Sequence, residues 1–235
     1  MIRETIQYNF EESLTRIDQM LNFQVADENV SPQVPTLSEL PTKGGVIIYC
    51  SVMQIEITPS LLDDYGKLVI VYRAFLSEAV AILSSHDHIV DIMVLGNRLT
   101  AVFSTPFKNN IESMIDKAAM VNTLAQVVSK KAKGLGLPGI TIRIGIDYGK
   151  AMLMRFGNYN TSEIMPASLS WIGAPVEGVS KLIATPNYNL NLWISNIVYQ
   201  NLTEDYKKFF NHEVEYGGYG ADIINTYMKN WLNKQ

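Results

Sequence analysis

The chain has 235 residues, of which 47% are hydrophobic and 18% charged, and its formal net charge is −4 at pH 7. These values are typical of one soluble globular domain with a sizeable core, and they give no basic face for nucleic acid. The most apolar helical stretch, 68–83, contains Arg73 and Glu78 and is too short to span a bilayer, and a single cysteine, Cys50, excludes an intramolecular disulfide. Because no apolar segment of the secretory type opens the chain, we expect a cytoplasmic protein without a nucleic-acid or membrane partner.

The first 43 residues form a predicted N-terminal segment. Apolar residues recur at steps of three and four, which predicts an amphipathic helix over 10–23: Phe10, Leu14, Ile17 and Leu21. Three prolines and several polar residues in 24–43 then predict a connecting loop. We therefore expect this helix and loop in 1–43 and one larger domain in 44–235.

The larger domain alternates between short β-branched runs and long runs of helical period. Strands are predicted at 45–52, 89–95, 99–104, 140–146, 151–156, 169–172 and 191–195. Helices are predicted at 61–85, 111–133 and 175–184. Gly96 and Asn97 favour a hairpin between the second and third strands, and another turn is predicted at 147–150. This order predicts an α+β fold with long helices on one face of a sheet.

Two apparent motifs have simpler interpretations. The stretch 134–139 matches G-x-G-x-x-G, but a dinucleotide-binding loop follows a strand and precedes a helix, and here the order is reversed. We therefore expect a helix end followed by a loop. His86 and His88 flank Asp87, but no further histidine or cysteine is near in the sequence, so we expect a solvated turn.

Three segments, in order and correctly spaced, resemble class III nucleotide cyclases. The strand 46–52 resembles the family strand in which an aromatic and a small residue precede a metal-binding Asp. Segment 95–103 (LGNRLTAVF) is similar to the family hairpin G-D-x-x-x-A-V-F, which supplies a second Asp. Segments 143–149 (RIGIDYG) and 171–173 (WIG) resemble the turn R-x-G-I-x-x-G and the G-D-x-V-N that begins the last active-site helix.

Further segments are similar to the bacterial Pycsar pyrimidine cyclases, so that the resemblance covers nearly the whole chain. They are 8–18, 72–78 (YRAFLSE), 103–106 (FSTP), 148–151 (YGKA) and 171–173. The resemblance implies a class III catalytic domain. Its core would be a ferredoxin-like βαββαβ unit with long helices on one face of a mixed, mainly antiparallel sheet.

The family converts a nucleoside triphosphate into a 3′,5′-cyclic nucleotide and pyrophosphate, with two metal ions held by two Asp and one backbone carbonyl. The resemblance places Ser51 and Asn97 at the Asp positions and the carbonyl of Val52 at the third. Two neutral side chains hold two dications poorly. The family's partner subunit supplies Asn and a basic residue from one helix, and these positions are Glu177 and Lys181. A carboxylate at position 177 would repel triphosphate.

Two other acidic residues could compensate for the missing Asp pair. Asp91 lies six residues before Asn97, about 20 Å away along an extended strand. Glu56 would reach the site only if its segment folds back.

Three functional hypotheses follow from the resemblance. The chain is a Pycsar-type protein of bacterial antiphage signalling whose catalysis is lost or very weak, with no metal cofactor as it stands. Alternatively, it is an active uridylate or cytidylate cyclase that makes cyclic UMP or CMP with Mg²⁺ or Mn²⁺ and unusual ligands. In the third hypothesis it pairs with an active cyclase as an inhibitory or regulatory subunit. A homodimer and a pyrimidine nucleotide ligand are the expectations that the resemblance adds.

Overall fold

The computed structural model describes residues 14, 17–18, 21, 24–26, 44–60, 63–156, 168–184, 189–213 and 217–234. Its strands are β1 (Gln24–Ala26), β2 (Gly44–Pro59), β3 (Ile89–Leu95), β4 (Arg98–Ser104), β5 (Ile140–Phe156), β6 (Ser168–Gly173), β7 (Leu192–Ser195), β8 (Asn211–Glu213) and β9 (Gly218–Ala221). Its helices are α1 (Tyr65–Ser84), α2 (Lys108–Gly134), α3 (Ala174–Ile183), α4 (Asn196–Asn201), α5 (Glu204–Lys207) and α6 (Thr226–Asn233). Among the residues so described, no helix is long and apolar enough to cross a membrane.

All the strands belong to one mixed sheet. The main order is β3-β4-β2-β5-β7-β9-β8, with β1 beside β2 and β6 beside β5. The pairs β1–β2 and β5–β7 are parallel, and the other pairs are antiparallel. The succession β2, α1, β3, β4, α2, β5 is the βαββαβ core with the central order β3-β4-β2-β5. The expected ferredoxin-like, class III cyclase fold is therefore confirmed.

The first face of the sheet carries the two long helices. Helix α1 begins at Asp64, whose side chain accepts a hydrogen bond from the Lys67 amide at 3.0 Å, as an N-cap does. Its buried residues recur at three- and four-residue steps and meet the sheet: Leu68, Val71, Phe75, Ala79 and Leu83. Helix α2 packs beside it, and together they cover Met53, Ile55 and Ile57 of β2.

A shorter layer covers part of the second face. Val179 of α3 and Trp171 of β6 pack on Cys50, Val52 and Val102. Because successive residues of a strand point to opposite faces, the even-numbered residues of β2 point to this side. Gln54 and Glu56 therefore lie on the second face of the sheet.

Two strands are longer than the sequence predicted. Strand β5 is continuous, so the turn expected at 147–150 is wrong. Gly149 lies under helix α3, where a Cβ atom would make an ordinary van der Waals contact with Pro175 Cδ at 3.4 Å. Strand β2 pairs with β5 from Gly45 to Pro59 and so extends beyond the predicted end at residue 52.

The G-x-G-x-x-G stretch is a helix end and a loop, as expected. Helix α2 ends at Gly134, Gly136 has a φ of 70°, and β5 begins at Ile140. The turn expected at His86, Asp87 and His88 is present and Asp87 is exposed, but the expected solvation is wrong for His86. Its ring is buried and packs edge-on against Phe103, with 5.1 Å between the ring centroids.

The N-terminal segment is described only in part. Leu14, Ile17, Asp18 and Leu21 are helical and exposed, whereas Phe10 and the remaining residues of the predicted helix lie outside the described residues. Strand β1 falls within the predicted loop and pairs with Gly44–Val46 of β2. The division at residue 43 stays a prediction.

Candidate functional site

The hairpin predicted at Gly96 and Asn97 is present between β3 and β4. Gly96 has a φ of 60°, a left-handed conformation that glycine adopts readily. Asn97 is exposed, and its backbone carbonyl accepts a hydrogen bond from the Ile57 amide at 2.9 Å. Its side-chain amide donates to the Ile57 carbonyl at 3.2 Å. The turn is thus fastened to β2 at Ile57.

Ser51 lies elsewhere in the sheet. It pairs with Phe103 of β4, whereas Glu56, five residues later on β2, pairs with Arg98 at the hairpin. Ser51 and Glu56 are therefore about 16 Å apart along the strand. Its side chain is fully buried, and its hydroxyl shares a hydrogen bond of 2.8 Å with the Thr105 hydroxyl. The structure therefore does not bring Ser51 together with Asn97.

The carbonyl expected to be a third ligand, that of Val52, is also distant from the hairpin. Val52 is buried in the middle of the sheet and pairs with Val102 on one side and Asp147 on the other. The β2 carbonyl beside Asn97 is that of Ile57.

Glu56 is the acidic residue of β2 that faces the hairpin. It pairs with Arg98 on β4 and with Arg143 on β5, and Arg98 Nη2 lies 3.2 Å from its Oε2. We call these three residues the charged row. Two arginines and one glutamate give the row a net charge of +1.

Sequence reasoning assigned Glu56 only a compensating role, through a segment that folds back. The structure needs no such fold, because β2 runs straight through residue 56. A signal for this was present in the sequence. Apolar and polar residues alternate strictly over 53–58 (MQIEIT), which is the period of a half-buried strand.

Asp91 is bound elsewhere. The indole Nε1 of Trp171 donates to Asp91 Oδ2 at 2.9 Å. Asp91 pairs with Val102 of β4, which lies four residues along that strand from Arg98 of the charged row. It is therefore absent from the charged row, as the extended-strand estimate predicts.

Helix α3 carries Glu177 and Lys181 on the second face of the sheet. Both are exposed and lie one helical turn apart, so they share one side of the helix. The helix backbone lies directly on β5, because a Cβ atom at Gly145 would be 2.9 Å from the Val179 carbonyl oxygen. These two positions therefore point away from their own sheet.

A polar chain joins α3 to the row beside the charged row. The Ser180 hydroxyl donates to Gln54 Oε1 at 3.1 Å, and Gln54 Nε2 donates to the Thr100 hydroxyl at 3.2 Å. Gln54 is two residues before Glu56 on the same face. These hydrogen bonds therefore fix helix α3 to the sheet at Ser180, the residue before Lys181.

Asp147 forms a second polar contact under α3. A Cβ atom at Gly178 would overlap the Asp147 carboxylate, so this carboxylate lies directly against the helix. The carboxylate hydrogen-bonds to the Ser195 side chain and to the Tyr148 amide. Burial raises the pKa of Asp147 above its ordinary value, and the two hydrogen bonds oppose that rise.

The residues at the hairpin do not fit a pair of divalent cations. They offer one carboxylate, Glu56, one amide, Asn97, and the Ile57 carbonyl, and a guanidinium already occupies the carboxylate. Mg²⁺ and Mn²⁺ need several oxygen ligands, with carboxylates preferred. In the described part of the chain, no group of three or more His, Cys, Asp or Glu could hold a metal ion.

Comparison with known proteins agrees with this fold. No protein-family model matches the chain. A uridylate cyclase of Treponema porcinum is 24% identical over 97% of this chain and 82% of its own length. A uridylate cyclase of Gulbenkiania mobilis is 27% identical over 97% of this chain and 96% of its own length.

Solved structures show the same fold. A class III adenylyl cyclase-like ATP-binding protein from Pseudomonas aeruginosa matches 95% of this chain and 48% of its own length, at 12% identity and a TM-score of 0.73. A dimeric guanylyl cyclase domain of a fusion protein from the fungus Blastocladiella emersonii matches 74% of this chain and 93% of its own, at 17% identity and a TM-score of 0.52. With its fold, its hairpin and its relatives taken together, the chain has the fold of class III nucleotide cyclases and is similar in sequence, over most of its length, to uridylate cyclases.

Proposed function

We propose that the chain is a pyrimidine nucleotide cyclase-fold protein whose catalysis is lost or very weak. The observation that carries this proposal is the state of the hairpin site. Its one carboxylate, Glu56, is paired with Arg98, and the hairpin residue beside it is the neutral Asn97. A site with so little negative charge holds two dications poorly.

The relatives support a pyrimidine nucleotide as the ligand. Both are uridylate cyclases, and their likeness extends over 97% of this chain. The resemblance to Pycsar cyclases suggests a role in bacterial antiphage signalling. A protein with this fold and little turnover would act there by binding nucleotide or a partner.

We further propose that the chain forms a homodimer. Glu177 and Lys181 are exposed on α3 and point away from their own sheet, where a second subunit could receive them. The guanylyl cyclase domain of Blastocladiella emersonii is described as dimeric. In a heterodimer with an active cyclase, one composite site would receive Glu177 and the other Asn97, so such a pair would be inhibited.

A second candidate function is active uridylate or cytidylate cyclase, and the position of Glu56 favours it. A carboxylate does face the hairpin, because Glu56 lies on β2 one residue before Ile57, to which Asn97 is fastened. If Arg98 moved away, Glu56 could hold one Mg²⁺ or Mn²⁺ ion.

The two candidates are separated by their products. The purified chain would be incubated with Mn²⁺ and each of ATP, GTP, CTP and UTP, and cyclic monophosphates measured by mass spectrometry. We expect no product from the natural chain. Asn97→Asp adds a carboxylate beside Glu56 and should give the first detectable product. Asn109→Asp, which adds the same charge at an exposed position of α2, is the matched control.

Cyclic UMP or CMP from the natural chain would overturn the proposal and establish the second candidate. Loss of activity when the chain is mixed with an active homologue would identify an inhibitory subunit.

A further inference from the structure

The charged row has a feature that the proposed function does not use. Glu56 lies between two arginines on the neighbouring strands, and Arg98 Nη2 is 3.2 Å from Glu56 Oε2. We propose that the Arg98 guanidinium takes the place of a metal ion here, so that the chain binds the triphosphate group of a nucleotide without a divalent cation. This inference rests on the proposed function, because it names how the same site holds its ligand.

The charge of the row supports an anionic ligand. Two arginines and one glutamate leave a net charge of +1 without any metal. The charges of Glu177 and Lys181 on α3 are equal and opposite and leave this sum unchanged. A dication would have to displace the guanidinium of Arg98 from Glu56 and would meet a second arginine behind it, whereas a triphosphate meets neither obstacle.

The chemistry of Arg98 suits this role. A guanidinium presents five N–H donors in a plane, and one bond to Glu56 leaves the others for phosphate oxygens. The Arg98 side chain is 49% exposed, so its free edge is open to solvent. An ion pair this exposed adds little to the stability of a protein, so stabilising the sheet is a weak explanation for an arginine at this position.

The experiment measures binding rather than turnover. UTP and inorganic tripolyphosphate are titrated into the full chain by calorimetry, once in excess EDTA and once in Mg²⁺. We expect both ligands to bind in EDTA at least as tightly as in Mg²⁺, because the ion complexes the triphosphate and reduces its negative charge. Arg98→Ala should weaken binding in EDTA by about tenfold or more, the effect of losing charge-assisted hydrogen bonds. Arg73→Ala, which removes an exposed arginine on α1, should change nothing.

Glu56→Gln separates this inference from a metal site. It keeps both arginines and raises the net charge of the row from +1 to +2, so binding in EDTA should become several-fold tighter. A Glu56 that served as a metal ligand would instead be essential for binding in Mg²⁺, and the variant would bind less.

Several results would overturn the inference. They are binding that requires Mg²⁺, the absence of tripolyphosphate binding in either buffer, and an Arg98→Ala variant that binds as the natural chain does. None of them concerns turnover. The proposed function fails separately, when cyclic product forms in Mn²⁺.

Discussion

Replacing Gly178 by Ala would place a Cβ atom on the Asp147 carboxylate, 3.0 Å from its Cγ. The carboxylate would have to move, and it would then lose its hydrogen bond to Ser195, to the Tyr148 amide, or to both. Hydrogen bonds to a charged group contribute about 1.5–3 kcal/mol each. Alanine recovers about 1 kcal/mol through its higher helix propensity. We therefore expect Gly178→Ala to lower the free energy of unfolding by about 0.5–2 kcal/mol if one of these bonds is lost and by about 2–5 kcal/mol if both are.

Urea unfolding, followed by far-UV circular dichroism, measures this change. Gly134→Ala is the control, because this residue is also helical and a Cβ atom there meets nothing within 4 Å, so the variant should be unchanged or stabilised by up to about 1 kcal/mol. In an Asp147→Ala background the obstacle is absent, so Gly178→Ala should be neutral or stabilising by up to about 1 kcal/mol. The reasoning would be refuted by an unchanged midpoint in Gly178→Ala, or by an equal loss in the Asp147→Ala background.

Three further predictions concern buried polar groups. Burial raises the pKa of the Cys50 thiol to about 12, so iodoacetamide should leave it unmodified at neutral pH until the chain is unfolded; labelling of the folded chain, measured by mass spectrometry, would contradict this. Burial and the charge of His88 lower the pKa of His86 below 6.5. The folded chain then binds fewer protons than the unfolded chain, so the free energy of unfolding has its full value above about pH 6.5 and decreases as the pH falls below 6.5. His86→Gln should flatten this pH dependence of the urea midpoint, and an unchanged slope would argue against a role of His86. Asn122 donates to Asp222 Oδ1 at 2.8 Å and to the adjacent backbone carbonyl at 2.9 Å, so Asn122→Ala should cost about 2–3 kcal/mol in the same unfolding assay, and a loss below about 0.5 kcal/mol would mean that water replaces both bonds.

The local signals in the sequence were sufficient for the core. Apolar residues at steps of three and four predicted α1 and α2, and the Gly96–Asn97 pair predicted the hairpin. Both signals are local, since they depend on residues that are close together in the sequence. The resemblance then predicted the order of the sheet. These elements define the class III fold before any tertiary contact is considered.

The failures all involve long-range packing. Gly149 suggested a turn, but β5 continues through it and pairs it with Cys50 of β2, a long-range pairing that a local pattern does not reveal. Ser51 matched the family pattern by its immediate neighbours, Tyr49 and Cys50. Which residue of β2 faces the hairpin depends on the register between β2 and β4, and that register places Glu56 there.

Position 97 is held by its backbone. The Ile57 amide donates to the carbonyl of residue 97, and this bond forms whatever side chain the residue carries. Asparagine and aspartate codons differ by a single base, and exchanging them costs the fold only the one side-chain hydrogen bond to Ile57. The hairpin backbone therefore stays in place whether residue 97 is neutral or acidic, and an exchange between the two does not require the domain to be rebuilt.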